Sequence, residues 1–253
     1  MQSKPKVLSI AGFDPSGGAG IVSDVKTFEA HDTYGLSVCS AITSQNEIDF
    51  FDVKWLSLEE ILNQINPLAS YYNFEIIKIG LIQDINVLGE LINHLSSLIE
   101  NCKIIWDPIL SSTSGYLFHQ NISYKQLENI CNQLYLITPN YNEAGQLGTE
   151  DNAESTSTML SHCCSVLLKG GHTKSPTTKD VLYANGKASS VFEGSRRIYD
   201  KHGTGCVLSA SIAANLAKGY SLIESCSLAK AYIHKFLESN KSKIGYHNYE
   251  LTS

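Results

Sequence analysis

A doubly wound α/β fold, with a mostly parallel central sheet between layers of helices, is the class this 253-residue sequence predicts. Two observations carry the prediction. Short runs rich in β-branched residues recur along the chain and are apolar almost throughout, as parallel strands covered on both faces require. Between them lie segments with helical patterning, several opened by a capping signal.

Taken in order, "KVLSIAG" reads as the first strand, and the glycine-rich "FDPSGGAGI" leads from it into a helix from about Ile21. "GLSVCSAITS" is the second strand, after which Ser57 with Glu60 fits a capping box and places Glu59 and Glu60 in a helix's first turn. "EIIKIG" and "KIIWDPI" follow as strands, then a helix opened by Ser123 with Gln126, then "LYLITPN" and "SVLLKGG". From Asp180 to Tyr199 the pattern becomes two extended runs about Asn185-Gly186, which predicts an antiparallel hairpin at the sheet edge. Helices then start within "GTGCVLSASIAANLAKG" and at Ser221 with Glu224. Trp55 and Trp106 are expected in the core, and the adjacent His162, Cys163 and Cys164 at a helix end packed on the sheet. No linker-like, low-complexity or repeated stretch occurs, so one domain over residues 1–253 is expected.

Composition narrows the function. The formal net charge is −6 and the basic residues are scattered, which argues against a nucleic-acid surface. Seven cysteines at irregular spacing, with no C-x-x-C pair, predict reduced thiols rather than disulfides or structural zinc. No apolar run approaches the roughly 18 residues of a membrane span. A cytoplasmic protein acting on small molecules, with no membrane partner, is expected.

In a doubly wound fold ligands sit outside the carboxyl ends of the strands, so the residues there are the candidate site. The loop Phe13–Gly20 is either a phosphate cradle or a tight strand-to-helix turn. Gln45 presents a donor and an acceptor side by side, the complement of an aminopyrimidine, or else is an amide tied to the loop backbone. Asp107 and Asn140 each end a strand at a proline. Asn140 with Glu143 is either a capping pair or a cleft-facing pair suited to a hydrated Mg²⁺. Lys169 precedes two glycines, and "HTKSPTTKD" reads as a flap over His172 to Lys179. The amides of Gly205 and Cys206 open a helix and point to an anion hole for a transferred phosphoryl group. The same position lowers a thiol's pKa, so Cys206 is expected to have thiolate character, or to be a small residue that packs.

The set "IAGFDPSGGAGI", "AITSQNE", "KIG", "ITPNYNEA", "LLKGGH" and "HGTGCVLSASIAANLAKG" resembles the hydroxymethylpyrimidine/phosphomethylpyrimidine kinase family of thiamin biosynthesis, within the ribokinase-like superfamily. The resemblance implies a ribokinase-like three-layer α/β/α sandwich, MgATP as phosphoryl donor, and two reactions. These are phosphorylation of 4-amino-5-hydroxymethyl-2-methylpyrimidine and conversion of its monophosphate to the diphosphate.

Carried onto this chain, the resemblance implies that Gly12, Ala19, Thr43 and Gln45 line the pyrimidine pocket, with Leu81 and Ile109 as apolar walls and Asp24 also among the substrate-binding residues. It further implies that Asp107, Asn140, Glu143, Lys169 and Lys230 serve MgATP, with Glu143 and Asp107 reaching the metal through water. Gly203, Thr204, Gly205 and Cys206 then form the catalytic anion hole, and a homodimer is expected. Phe13 and Leu81 depart from the family pattern, Phe13 either narrowing the site or stacking on a ring. Alternatives are a pyridoxal or pyridoxamine kinase, a pyrimidine-sensing domain, and a thiol hydrolase with His202 as base for Cys206.

Overall fold

The computed structural model describes residues 3–111, 118, 122–148, 152–170, 177–195 and 199–247. The strands are β1 (Lys6–Phe13), β2 (Tyr34–Gln45), β3 (Phe50–Trp55), β4 (Ile76–Ile79), β5 (Lys103–Trp106), β6 (Leu136–Ile137), β7 (Ser165–Leu168), β8 (Thr177–Ala184) and β9 (Lys187–Ser195). The helices are α1 (Gly20–Ala30), α2 (Leu58–Tyr71), α3 (Ile85–Leu98), α4 (Tyr124–Cys131), α5 (Tyr141–Leu147), α6 (Ala153–Leu160), α7 (Thr204–Ala217) and α8 (Leu222–Glu238). All strands join one sheet in the order β3-β2-β1-β4-β5-β6-β7-β8-β9. Pairings from β2 through β7 are parallel; β3, β8 and β9 are antiparallel additions at the edges.

Side chains alternate across the sheet because successive Cβ atoms point to opposite faces. Leu8, Ile10, Ile77, Ile79, Ile104, Trp106 and Ile137 pack with α2 to α6 on one face. Val7, Ile76, Ile105, Leu136 and Leu167 pack with α1, α7 and α8 on the other. Both faces are thus covered, which is why the strands read as continuous apolar runs. The helix α7 is buried nearly all round, as its lack of a polar face requires.

Capping follows the sequence signals in most places. Ser57/Glu60 and Ser221/Glu224 form complete capping boxes. Ser123 accepts from the Gln126 amide, but its own hydroxyl takes the Gln126 side-chain oxygen, so the return half of that box is not made. The β8–β9 hairpin turns on Asn185 and Gly186 with φ of 52° and 75°, the left-handed pair that a two-residue turn needs.

Two expectations are corrected. β3 was not expected, although "FFDVKW" is aromatic and β-branched and Asn46 Oδ1 closes the preceding turn by accepting from the amides of Ile48 and Asp49. Trp55 lies on this edge strand, half-buried, with its ring edge-on to Phe118 at 5.9 Å, whereas Trp106 is in the core. Most of the expected flap, His172 to Pro176, falls outside the described residues; Thr177 to Lys179 begin β8.

Candidate active site

A cavity of about 810 Å³ opens at the carboxyl ends of the parallel strands. One end is lined by Gly12, Ala19, Thr43, Gln45, Leu81 and Ile109, the other by Asp107, Asn140, Glu143, Lys169 and Gly203 to Cys206. Lys230 stands in an adjoining cleft that shares Lys169, Thr204 and Gly205, and is held there by Asp180 at 2.7 Å.

At the first end, Thr43 Oγ1 donates to the Phe13 carbonyl at 2.9 Å and accepts from Gln45 Nε2 at 2.9 Å. This relay orients the Gln45 amide and leaves its carbonyl oxygen as an acceptor on the cavity wall. The Gln45 side chain is therefore tied to the Thr43 hydroxyl rather than to backbone, and it lines the cavity. A Cβ on Gly12 would meet Leu81 Cδ2 at 2.9 Å, so a larger residue there would push Leu81 aside on the cavity wall. Phe13 contributes its carbonyl to the relay, and the residue is 39% exposed.

Asp24 is corrected more sharply. It is fully buried beneath the cavity rather than lining it, bonded to Lys78 Nζ at 2.7 Å and to the Ser9 hydroxyl at 2.6 Å. Burial alone would push the Lys78 ammonium down, but the carboxylates of Asp24 and Asp107 hold it above the usual lysine range.

At the second end, Lys169 Nζ lies 2.8 Å from Asp107 Oδ1 and 3.7 Å from Glu143 Oε2. Asp107 also accepts from Thr138 at 3.0 Å and Ser209 at 3.1 Å. Burial opposes the charge, but Lys169 and Lys78 keep its carboxyl below the usual range. Asn140 and Glu143 form a complete capping box on α5, so that reading is right, and Glu143 also lines the cavity. Burial, with Asp107 adding to it against the pull of Lys169, pushes the Glu143 carboxyl up to about 7. Among the described residues no cluster of three or more His, Cys, Asp or Glu could cage a metal, but Glu143 has an oxygen that takes no protein donor, which suits a hard cation that keeps its waters.

The two glycine-rich loops have opposite roles. In the β1–α1 loop the amides of Ser16, Gly17, Gly18 and Ala19 donate in turn to Asp14 Oδ1, the Asp14 carbonyl, Ser16 Oγ and Asp14 Oδ2. Its donors are spent on its own turn, so the cradle reading gives way to the tight-turn reading. By contrast α7 starts at Gly203, with φ of 72° and no side-chain cap, and its first intrahelical bond is Val207 N to the Gly203 carbonyl. The amides of Thr204, Gly205 and Cys206 are left pointing out of the helix start on the cavity wall.

Cys206 does not show the expected thiolate character. It is buried, and burial pushes its thiol up to about 11, with Lys78 opposing and the carboxylates of Asp107 and Asp24 adding to the rise. Desolvation here outweighs the helix dipole. His202 Nε2, the base that a thiol hydrolase would need, is engaged 2.9 Å from Asp14 Oδ2. Asp14, His202 and the β2–β3 turn also line the cavity and were not expected there. No sequence signal joins Asp14 to His202 across the chain, whereas the turn was readable from Asn46.

The comparisons with known proteins are decisive at this point. A family model described as phosphomethylpyrimidine kinase matches residues 14–252. The chain belongs to this family. It is 36% identical over 248 residues to the hydroxymethylpyrimidine/phosphomethylpyrimidine kinase of Rhizobium meliloti (strain 1021), covering 94% of this chain and 92% of the relative. Among solved structures it is similar to phosphomethylpyrimidine kinase from Clostridium difficile 630, with a TM-score of 0.76, 32% identity, and 92% and 99% of the two chains covered. It is likewise similar to pyridoxal kinase from Bacillus subtilis in an ADP complex, with a TM-score of 0.80, 26% identity, and 94% and 93% covered. The chain spans about half the length of the bifunctional thiamine biosynthetic relatives it also matches. The fold is ribokinase-like and the family is one of kinases.

Proposed function

We propose that this chain phosphorylates 4-amino-5-hydroxymethyl-2-methylpyrimidine and then its monophosphate, with MgATP as donor. The single observation that carries the reading is the arrangement of one cavity. An aminopyrimidine-complementary amide, Gln45, stands at one end, and uncapped helix amides beside Lys169 stand at the other.

In this reading the Gln45 carbonyl accepts from the exocyclic amine while Leu81 and Ile109 cover the ring. The acceptor oxygen attacks the γ-phosphorus in line, an O–P bond forms as the bond to the ADP oxygen breaks, negative charge spreads over the equatorial oxygens, and the hydroxyl proton passes to a phosphate oxygen and on to water. Amides of Thr204 to Cys206 and the Lys169 ammonium face that charge, which is where most of the rate enhancement arises for such a transfer. Glu143 would hold magnesium through water, and the ion would supply positive charge that offsets the phosphates; Asp107 keeps Lys169 in place. An uncharged Cys206 thiol is compatible with this, because a loose transition state needs little prior deprotonation of the acceptor. A cytoplasmic enzyme of one domain, working as a homodimer, remains the expected setting.

Pyridoxal kinase activity is the second reading, favoured by the likeness to the Bacillus subtilis pyridoxal kinase. A product-resolved assay with MgATP and, separately, the hydroxymethylpyrimidine, its monophosphate and pyridoxal tests both. Turnover of the two pyrimidines is expected; faster turnover of pyridoxal would replace the first reading by the second.

A further inference from the structure

We propose that the Asp14–His202 hydrogen bond is a positioning clamp, holding the β1–α1 loop against the start of α7 so that the helix amides stay aimed at the transferred phosphoryl group. The inference rests on the kinase reading for its effect on rate. Its structural half stands independently.

Asp14 is 1% exposed and gathers donors from three places: Ser16 in its own loop, the Ala19 amide at the entry to α1, and His202 Nε2 ahead of α7. A carboxylate can only accept, so Nε2 of His202 carries the proton of that bond. The His202 and Ser16 donors outweigh burial and hold the Asp14 carboxyl below its usual range, so the charged form is the one that is clamped.

Around this bond the two loops meet with no room for side chains. A Cβ on Gly203 would meet the Gly18 carbonyl oxygen at 1.9 Å, and one on Gly18 would meet His202 Cδ2 at 2.7 Å. Nothing at the N-cap of α7 caps its amides, so their direction depends on what anchors the preceding residues. On the other side His202 is fixed by its own amide, which donates to the Lys243 carbonyl at 2.8 Å. The clamp ties the residue just ahead of this helix start to the Asp14 loop, side chain to side chain.

The test uses His202→Leu, which removes the donor; His202→Gln, which keeps an N–H at similar reach; and Asp14→Asn. If the clamp positions the anion hole, His202→Leu lowers kcat about tenfold or more, because small misplacements of a reacting centre carry large rate penalties. KM for the pyrimidine then changes little, and His202→Gln recovers most of the rate. Independently of activity, amide hydrogen exchange of residues 16–19 should quicken in His202→Leu but not in His202→Gln. A kcat for His202→Leu within about twofold of wild type overturns the rate half of the proposal. Unchanged exchange in residues 16–19 overturns the clamp itself. Absence of pyrimidine turnover in the wild-type protein would count against the kinase reading alone, since the exchange comparison needs no substrate.

Discussion

Lys169 Nζ lies 2.8 Å from Asp107 Oδ1, joining the end of β7 to the end of β5 on the cavity wall. With Glu143 at 3.7 Å the ammonium stands between two buried carboxylates. Removing it leaves both acids without their cation and the transition-state charge without a partner. Lys169→Met is therefore expected to lower kcat by about 10²- to 10³-fold, the range for losing one preorganised donor. Steady-state kinetics with saturating MgATP check this, and an unchanged kcat would remove Lys169 from the site.

Glu143 predicts an acid limb. Its carboxyl, pushed up to about 7 chiefly by burial, loses its charge as pH falls through that value. At low magnesium, kcat/KM for MgATP should decline below about pH 7, the limb should move to lower pH as magnesium saturates, and Glu143→Gln should abolish it. The stability effect has the opposite sense: a carboxyl whose folded pKa exceeds its unfolded value favours the fold most below the unfolded value of 4.5, and this is lost as pH rises through about 7. Denaturant melts of wild type and Glu143→Gln at several pH values measure that difference.

Gly205 leaves room beside Lys169. A Cβ there would stand 3.3 Å from Lys169 Nζ and 4.0 Å from Asp107 Oδ2, and valine's methyl groups would reach further into the site. We expect Gly205→Val to lower kcat by roughly 10²-fold, the penalty of misplacing reacting groups, with little change in Tm. A normal kcat would contradict the anion-hole placement.

Cys206 bears on mechanism rather than fold. With its thiol pushed up to about 11, the side chain is uncharged near neutral pH. Cys206→Ser should retain a rate within a few-fold of wild type, and iodoacetamide should leave Cys206 unmodified in the native protein. Rapid labelling near neutral pH would restore the thiolate reading.

The Asp24–Lys78 pair makes a stability prediction. Both side chains are fully buried, so Lys78→Met strands a carboxylate and is expected to cost about 3–5 kcal/mol. The double variant Asp24→Asn with Lys78→Met should recover much of that loss, because replacing both partners removes the stranded charge. Chemical denaturation of the three variants shows whether the coupling exists.

Much of the fold was legible because its signals are local. The buried parallel strands are apolar runs, the hairpin turn is Asn185-Gly186, and the complete capping boxes lie within four-residue windows. The strand-end rule then collected Gln45, Asp107, Glu143, Lys169 and Gly205 around one cavity, since neighbouring parallel strands bring their carboxyl ends together, and the resemblance added Gly12 and Thr43. Asp24 was placed wrongly for the complementary reason: it lies inside α1, where the facing element, not the strand end, decides what a side chain meets.

By itself the sequence determined the order of the strands other than β3, the family motifs and the glycines that let two loops approach, all of which follow from local conformational preference and spacing. Only the tertiary structure decided which glycine-rich loop keeps its amides free, that Asp24 is buried on Lys78, that the Cys206 thiol stays protonated, and that Asp14 meets His202. Each depends on desolvation or on a hydrogen-bond partner remote in the chain, and neither has a local signature.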